Sequence, residues 1–176
     1  MACASKPSPV KLVVGTIFSS EGVLIKAKKK LENRFGPVDF ASEIMAFDFT
    51  DYYEKEMGKN LKRQFLSFEK LVWPSQLWHI KRYTNRLERD LRGPASGHSR
   101  NINLDPGYIA ASKLVLATCK NYSHRIYLDK GIYAEVTLSF RDGVFEPWPW
   151  TYPDYRSDRY IHCFNTIREL YLKQIF

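Results

Sequence analysis

Cysteine is scarce in this chain. Cys3, Cys119 and Cys163 are odd in number, far apart and free of any C-x-x-C spacing. That excludes a disulfide framework and a thiolate zinc site, and it predicts a reducing, cytoplasmic setting. No apolar run approaches the ~18 residues a membrane span needs. The opening MACASKPSPV lacks the apolar stretch of a signal peptide. Histidine is nearly as scarce, with four residues standing in HIK (79–81), HSR (98–100), HRI (124–126) and HCF (162–164). None forms H-x-x-x-H, and none forms the H-x-[ST] pair of two-histidine phosphodiester chemistry. His162 and Cys163 are neighbours, which on a helix point about 100° apart and do not chelate together. No metal site is expected. A P-loop is missing too: the loop after the first apolar stretch, Gly15 to Gly22, has two glycines at the wrong spacing and no lysine. Asp105-Pro106-Gly107 is one residue short of a D-x-x-G switch, and no N-K-x-D guanine reader occurs. The motifs of a conventional GTPase are missing, while nucleotide binding through another geometry stays open.

Apolar and aromatic residues are plentiful. Of 176 residues 44% are hydrophobic and 15% aromatic, enough for one sizeable core and against disorder. The net charge is +8, and it is unevenly placed. Residues 1–100 carry 18 Lys+Arg against 11 Asp+Glu, and residues 101–176 carry 9 against 8. A basic half points to an anionic partner such as a nucleotide or RNA; a solvated basic face is the plainer reading.

Periodicity supplies the elements. Residues 1–9 read as a tail. KLVVGTIFS (11–19) reads as a buried strand, and Ser19 or Ser20 caps the helix that follows, with Leu24, Ala27, Leu31 and Phe35 on one side and a stop at Gly36-Pro37. FASEIMAFDFT (40–50) alternates as a strand, DYYEKEMGKN (51–60) connects, and LKRQFLSFEKLV (61–72) returns with Arg63, Phe65 and Ser67 on one side. Pro74 opens a second helix in which Leu77, Ile80, Thr84, Leu87 and Leu91 form the apolar side, with Lys81, Arg82, Arg86 and Arg89 expected in water. RGPASGHSR (92–100) is a loop, and RNINL (100–104) a short strand.

This β-α-β-β-α-β order predicts an α+β fold with a ferredoxin-like antiparallel sheet over residues 10–104 and both basic helices on one face. Residues 105–176 are expected to extend it by a helix (about 106–119), a hairpin from HRIYL (124–128) to GIYAEVTLSF (131–140), and a last helix (about 157–174). In this reading Asp105-Pro106 is the start of the 106–119 helix, with Asp105 as its cap.

The candidate site gathers polar residues from 101 to 135. His124 and Arg125 start one strand of the hairpin, and Tyr133 and Glu135 lie on the other. Glu135 beside His124 makes a general base; Glu135 beside Arg125 makes a structural ion pair; the strand register decides between them. The candidate catalytic residues are therefore His124, Glu135 and Asp105. The candidate ligand-binding residues are Arg63, Asn103, Tyr108, Lys113, Arg125, Tyr127, Tyr133 and Tyr152, the last from the Pro-flanked WTYPDYRSDRY (150–160). No cofactor is indicated. Phe65 and Phe68 fall on opposite faces of their strand and do not make the base-stacking platform of an RNA-binding sheet.

The strings NINLDPGYIAASKLVLAT, HRIYLDKGIYAEVTLSF and WTYPDY, in this order, resemble the uncharacterised prokaryotic family called domain of unknown function 4416. The resemblance covers about residues 9–176. It implies no established activity, although some members are labelled GTP-binding protein. Three functions are compatible with the residues. One is a binding protein for an anionic ligand, a nucleotide or RNA. Another is an enzyme acting on a phosphorylated small molecule through His124 with Glu135 or Asp105. The third is a protein-interaction domain.

Overall fold

A computed structural model describes residues 3–92 and 99–176. Its architecture is α+β: one large antiparallel sheet of nine strands with four helices. The central strand β1 (Val10–Phe18) is buried along its whole length, as its β-branched and apolar composition requires. It lies between β4 (Lys62–Val72) and β5 (Ile102–Ala110). The sheet order is β2-β4-β1-β5-β6-β8-β7, where β2 is Val38–Ala41, β6 Lys113–Thr118, β7 Ile126–Asp129 and β8 Ile132–Arg141. Two short strands, β3 (Met45–Ala46) and β9 (Val144–Pro147), add to β4 and β8.

Helix α1 (Glu21–Phe35) starts where Ser20 accepts from the Val23 N–H at 3.4 Å, and it ends at Gly36, whose φ of 95° only glycine adopts without strain. Its Val23, Leu24, Ala27 and Leu31 pack on the sheet with Ile80 and Leu87 of α3 (Leu77–Asp90). Burying a leucine such as Leu31 contributes about 2 kcal/mol. The opposite face of the sheet is covered by α4 (Asp158–Ile175), whose Tyr160, Phe164 and Ile167 meet Val13, Phe65, Ile109 and Leu138. At one end a buried Lys11 pairs with Asp39 and donates to Gln174 at 2.8 Å, tying the last turn of α4 to β1.

Several sequence expectations are corrected. Residues 106–119 are not a helix; they are the end of β5, a tight turn and β6, so the extension after residue 104 begins inside a strand. Asp105 is no helix cap: it sits within β5 opposite Gly15. The Asp-Pro signal for a helix start is overridden because INL and YIA on either side pair across β1 and bury Ile102, Leu104 and Ile109. The stretch 40–50 yields only the end of β2 and the two-residue β3, and 51–60 contains the single-turn helix α2 (Glu54–Met57). Lys81 is not in water but buried. Most of the loop expected at 92–100, including His98, lies outside the described residues.

Candidate functional site: a charged cleft where two strands part

Local geometry at Asp105-Pro106-Gly107 creates the site. The β5–β6 ladder runs from Ala110↔Lys113 to Gly107↔Leu116 and stops there, although β5 reaches back to Ile102 and β6 runs on to Thr118. Beyond Gly107 the two strands diverge. Pro106 has no N–H to donate to the departing strand. Gly107 lets the strands touch just before they part; a Cβ there would lie 2.4 Å from the Val115 carbonyl oxygen. Leu104 is left with a backbone edge that β6 no longer serves. Two side chains of α3 serve it: the Leu104 N–H donates to Glu88 Oε1 at 2.7 Å, and Lys81 Nζ donates to the Leu104 carbonyl at 2.9 Å. This is why a lysine and a glutamate lie buried on the packing side of an amphipathic helix.

The divergence opens a cleft of about 780 Å³, within the range of small-molecule sites. Its floor is a network of charges. Lys81 lies 3.4 Å from Asp105 Oδ1, and Asn103 Nδ2 donates to Asp105 Oδ2 at 2.6 Å. Arg100 bridges Glu56 and Glu88, both at 3.0 Å, and donates to Asn103 at 2.5 Å. Burial pushes the Glu88 carboxyl up, against the pull of Lys81 and Arg100. Deeper still, Arg63, 2% exposed, donates from Nη2 to Asp154 at 2.7 Å. Its Nε and Nη1 meet no hydrogen-bond acceptor among the described residues. The guanidinium is instead ringed by Phe47, Phe65, Tyr155 and Tyr160 at 5.0–5.5 Å. Burial raises the Asp154 carboxyl, with Arg63 acting against it. Gly15 belongs to the same arrangement, since a Cβ there would come within 3.0 Å of Arg63 Nη1.

The opposite wall comes from the hairpin. Glu135 Oε2 accepts from Arg125 Nε at 2.9 Å and lies 3.1 Å from His124 Nε2, so one oxygen serves both partners that the sequence left as alternatives. Arg125 also donates to the Tyr152 hydroxyl at 3.0 Å. His124 stands behind Glu135, its ring stacked on Trp150 at 5.2 Å, and is not in the cleft lining. The rim carries three aromatic rings with unusual exposure for their size: Phe49 at 42%, Tyr52 at 57% and Tyr152 at 49%. Lys120 Nζ sits 4.4 Å from the Tyr52 ring centroid.

Of the residues singled out in the sequence, Asp105, Glu135, Arg63, Asn103, Arg125 and Tyr152 line the cleft. Besides His124, four lie elsewhere. Tyr108 is half-buried against the cluster of Leu77, Val115, Ala117 and Ile132, and Lys113 is exposed at the start of β6. Tyr127 is exposed on the edge strand and meets Tyr133 edge-on at 5.4 Å. Lys81, Glu88, Arg100, Glu56, Tyr53 and Asp154 also line the cleft, and sequence reasoning misses them. The signal for Lys81 and Glu88 is nonetheless present: both fall on the arc of α3 that Leu77, Ile80, Thr84 and Leu87 define.

The arrangement offers cations from four separate elements, acceptors on five carboxylates and open ring faces. Among the described residues no three His, Cys, Asp or Glu side chains are grouped to hold a metal ion, and no helix is long and apolar enough to cross a membrane. No curated protein and no solved structure matches the chain. A family model described as Domain of unknown function (DUF4416) matches residues 8–171, nearly the full length, and the chain belongs to that family.

Proposed function

We propose that the protein binds a small anionic ligand of nucleotide size in the cleft between β5 and β6. The observation that carries this reading is the convergence of Arg63, Lys81, Arg100 and Arg125 on one concavity with the exposed rings of Phe49, Tyr52 and Tyr152 at its rim. Cations held in place by carboxylates are preorganised for a phosphate, and open aromatic faces suit a base. Both faces of the central sheet are covered by helices, which argues against a base-stacking platform on the strands. The order β2-β4-β1-β5, with α1 and α3 on one face, supports the ferredoxin-like reading of the first 110 residues. Widely spaced, free thiols support a cytoplasmic location.

The test is a thermal-shift series with the four nucleoside monophosphates and the matching nucleosides. A nucleotide at 100 times its Kd stabilises the native state by about 2.7 kcal/mol, which a melting curve resolves. The monophosphates are expected to raise Tm more than the nucleosides do, and Tyr52→Ala is expected to weaken the effect. No shift with any nucleotide at millimolar concentration removes the reading.

A second reading, an enzyme acting on a phosphorylated small molecule, draws on the 3.1 Å approach of His124 to Glu135. It requires His124→Ala to abolish turnover of a phosphate ester while leaving Tm within a degree or two. The stacking of His124 on Trp150, behind Glu135, supports an anchoring role instead.

A further inference from the structure

Four cations of the cleft floor and wall are paired: Arg63 with Asp154, Lys81 with Asp105, Arg100 with Glu88 and Arg125 with Glu135. Those leading up to it are not. Arg82, Arg86 and Arg89 stand at i, i+4 and i+7 on α3, one stripe with about 6 Å between neighbours, and Arg92 follows. All four are exposed, and none pairs with a carboxylate among the described residues. Arg89 and Arg92 are at once the end of this stripe and part of the cleft wall.

Beside it runs a second stripe on α1, where Lys26, Lys30 and Arg34 are exposed at one-turn spacing. The two helices are locked together: the Tyr83 hydroxyl donates to the Lys30 carbonyl at 3.2 Å, and the Arg34 guanidinium lies over the Tyr83 ring at 5.8 Å. A row of unpaired positive charge costs self-repulsion and contributes nothing to packing.

From this continuity we infer that the occupant of the cleft is the end of a single-stranded nucleic acid, whose preceding phosphates lie along the α3 stripe. The inference rests on the nucleotide reading of the cleft and extends it outward. A polymer of phosphates bearing aromatic bases matches both parts, the charged row and the ringed rim, whereas a mononucleotide uses only the second. A duplex keeps its bases stacked inside and offers none to Phe49, Tyr52 or Tyr152. A membrane surface is disfavoured because the exposed positions of α3 are His79, Arg82, Arg86, Arg89 and Asp90, with no apolar side chain to enter a lipid layer.

The experiment compares UMP with a fluorescein-labelled twelve-residue oligouridylate, using the full chain and the variant Arg82→Glu/Arg86→Glu. Both substituted side chains are exposed and outside the cleft lining, and matched melting curves check that the variant is folded. The expected result is at least tenfold tighter binding of the oligonucleotide than of UMP. The variant is expected to lose that advantage while its UMP affinity stays within twofold. Its plot of log K against log salt should be shallower by about 1.4, at ~0.7 for each of the two phosphates that the arginines would otherwise neutralise on a single strand. UMP binding with no gain for the oligonucleotide, or a gain the variant keeps, overturns the inference and leaves the cleft reading intact. Displacement of the oligonucleotide by polyglutamate, by phosphatidylserine vesicles or by a duplex as readily as by unlabelled oligouridylate also overturns it. Binding of neither probe overturns the inference, and the reading of the cleft falls with it if none of the four monophosphates shifts Tm.

Discussion

Replacing Asp154 by asparagine tests the deepest part of the cleft. The substitution keeps an oxygen near Arg63 Nη2, now 2.7 Å from the carboxylate, but removes the negative charge hydrogen-bonded to a guanidinium that is 2% exposed. Breaking a buried pair costs about 3–5 kcal/mol. The low end, about 3 kcal/mol, is expected because the four surrounding rings continue to face the cation and the amide oxygen still accepts. The reverse variant, Arg63→Met, behaves differently with pH. It strands a carboxyl that burial already pushes up, and that carboxyl escapes by taking a proton. A raised carboxyl makes the folded state hold a proton that the unfolded chain releases, so its share of stability is present at low pH and lost as pH rises through the folded value. Arg63→Met is therefore expected to cost about 3 kcal/mol at pH 7 and less as pH falls toward 5. Asp154→Asn has no such escape, since arginine stays charged. The double variant should cost at least 2 kcal/mol less than the sum of the singles. Urea titrations at pH 5, 6 and 7 give all three quantities. Equal, pH-independent costs that add would refute the assignment of Arg63 and Asp154 as a coupled, desolvated pair.

Two further outcomes follow from the same geometry. Gly107→Ala sets a Cβ 2.4 Å from the backbone oxygen of Val115, which no rotamer relieves, so β6 must shift by nearly 1 Å; a loss of about 3 kcal/mol by urea denaturation is expected, and a loss below about 1 kcal/mol would mean that the strands do not touch there. Burial raises the hydroxyls of Tyr53, Tyr155 and Tyr160 above their usual 10.0. The unfolded chain releases these protons first, so stability should fall by up to about 4 kcal/mol per pH unit above pH 10. Phenolate absorbance at 295 nm should complete only with unfolding, and full ionisation of the native protein would contradict this.

Much of the fold is legible in the sequence because its signals are local. The period-3.6 rows of α1, α3 and α4 and the apolar run of β1 depend on burial alone, and burial is written into residue type. Asp105-Pro106-Gly107 misleads for an equally physical reason. An aspartate before a proline satisfies helix-start chemistry, and nothing local reveals that the proline faces a departing strand or that the glycine is pressed against Val115. Within the candidate site, Asn103 and Glu135 stand out as polar residues between apolar ones. Lys81, Glu88 and Arg100 show no sign of a site, since the Leu104 carbonyl that Lys81 serves and the carboxylates that Arg100 bridges lie 12 to 44 residues away and only the closed sheet brings them near. The choice of His124 or Arg125 for Glu135 rests, in the sequence, on strand register; in fact both residues precede β7 and curl back to the same oxygen.

The two-sided burial of β1 bears on how the chain is made. This strand leaves the ribosome among the first elements, while α4, which covers one of its faces, follows all nine strands. At 5–20 residues per second, about 7–30 s of synthesis separates them. Until α4 emerges, Val13, and then Phe65, Ile109 and Leu138 as each is made, present an open apolar surface on the nascent chain. Translation speed and access to chaperones before residue 158 emerges should therefore govern the yield of native protein more strongly than any property of the finished cleft.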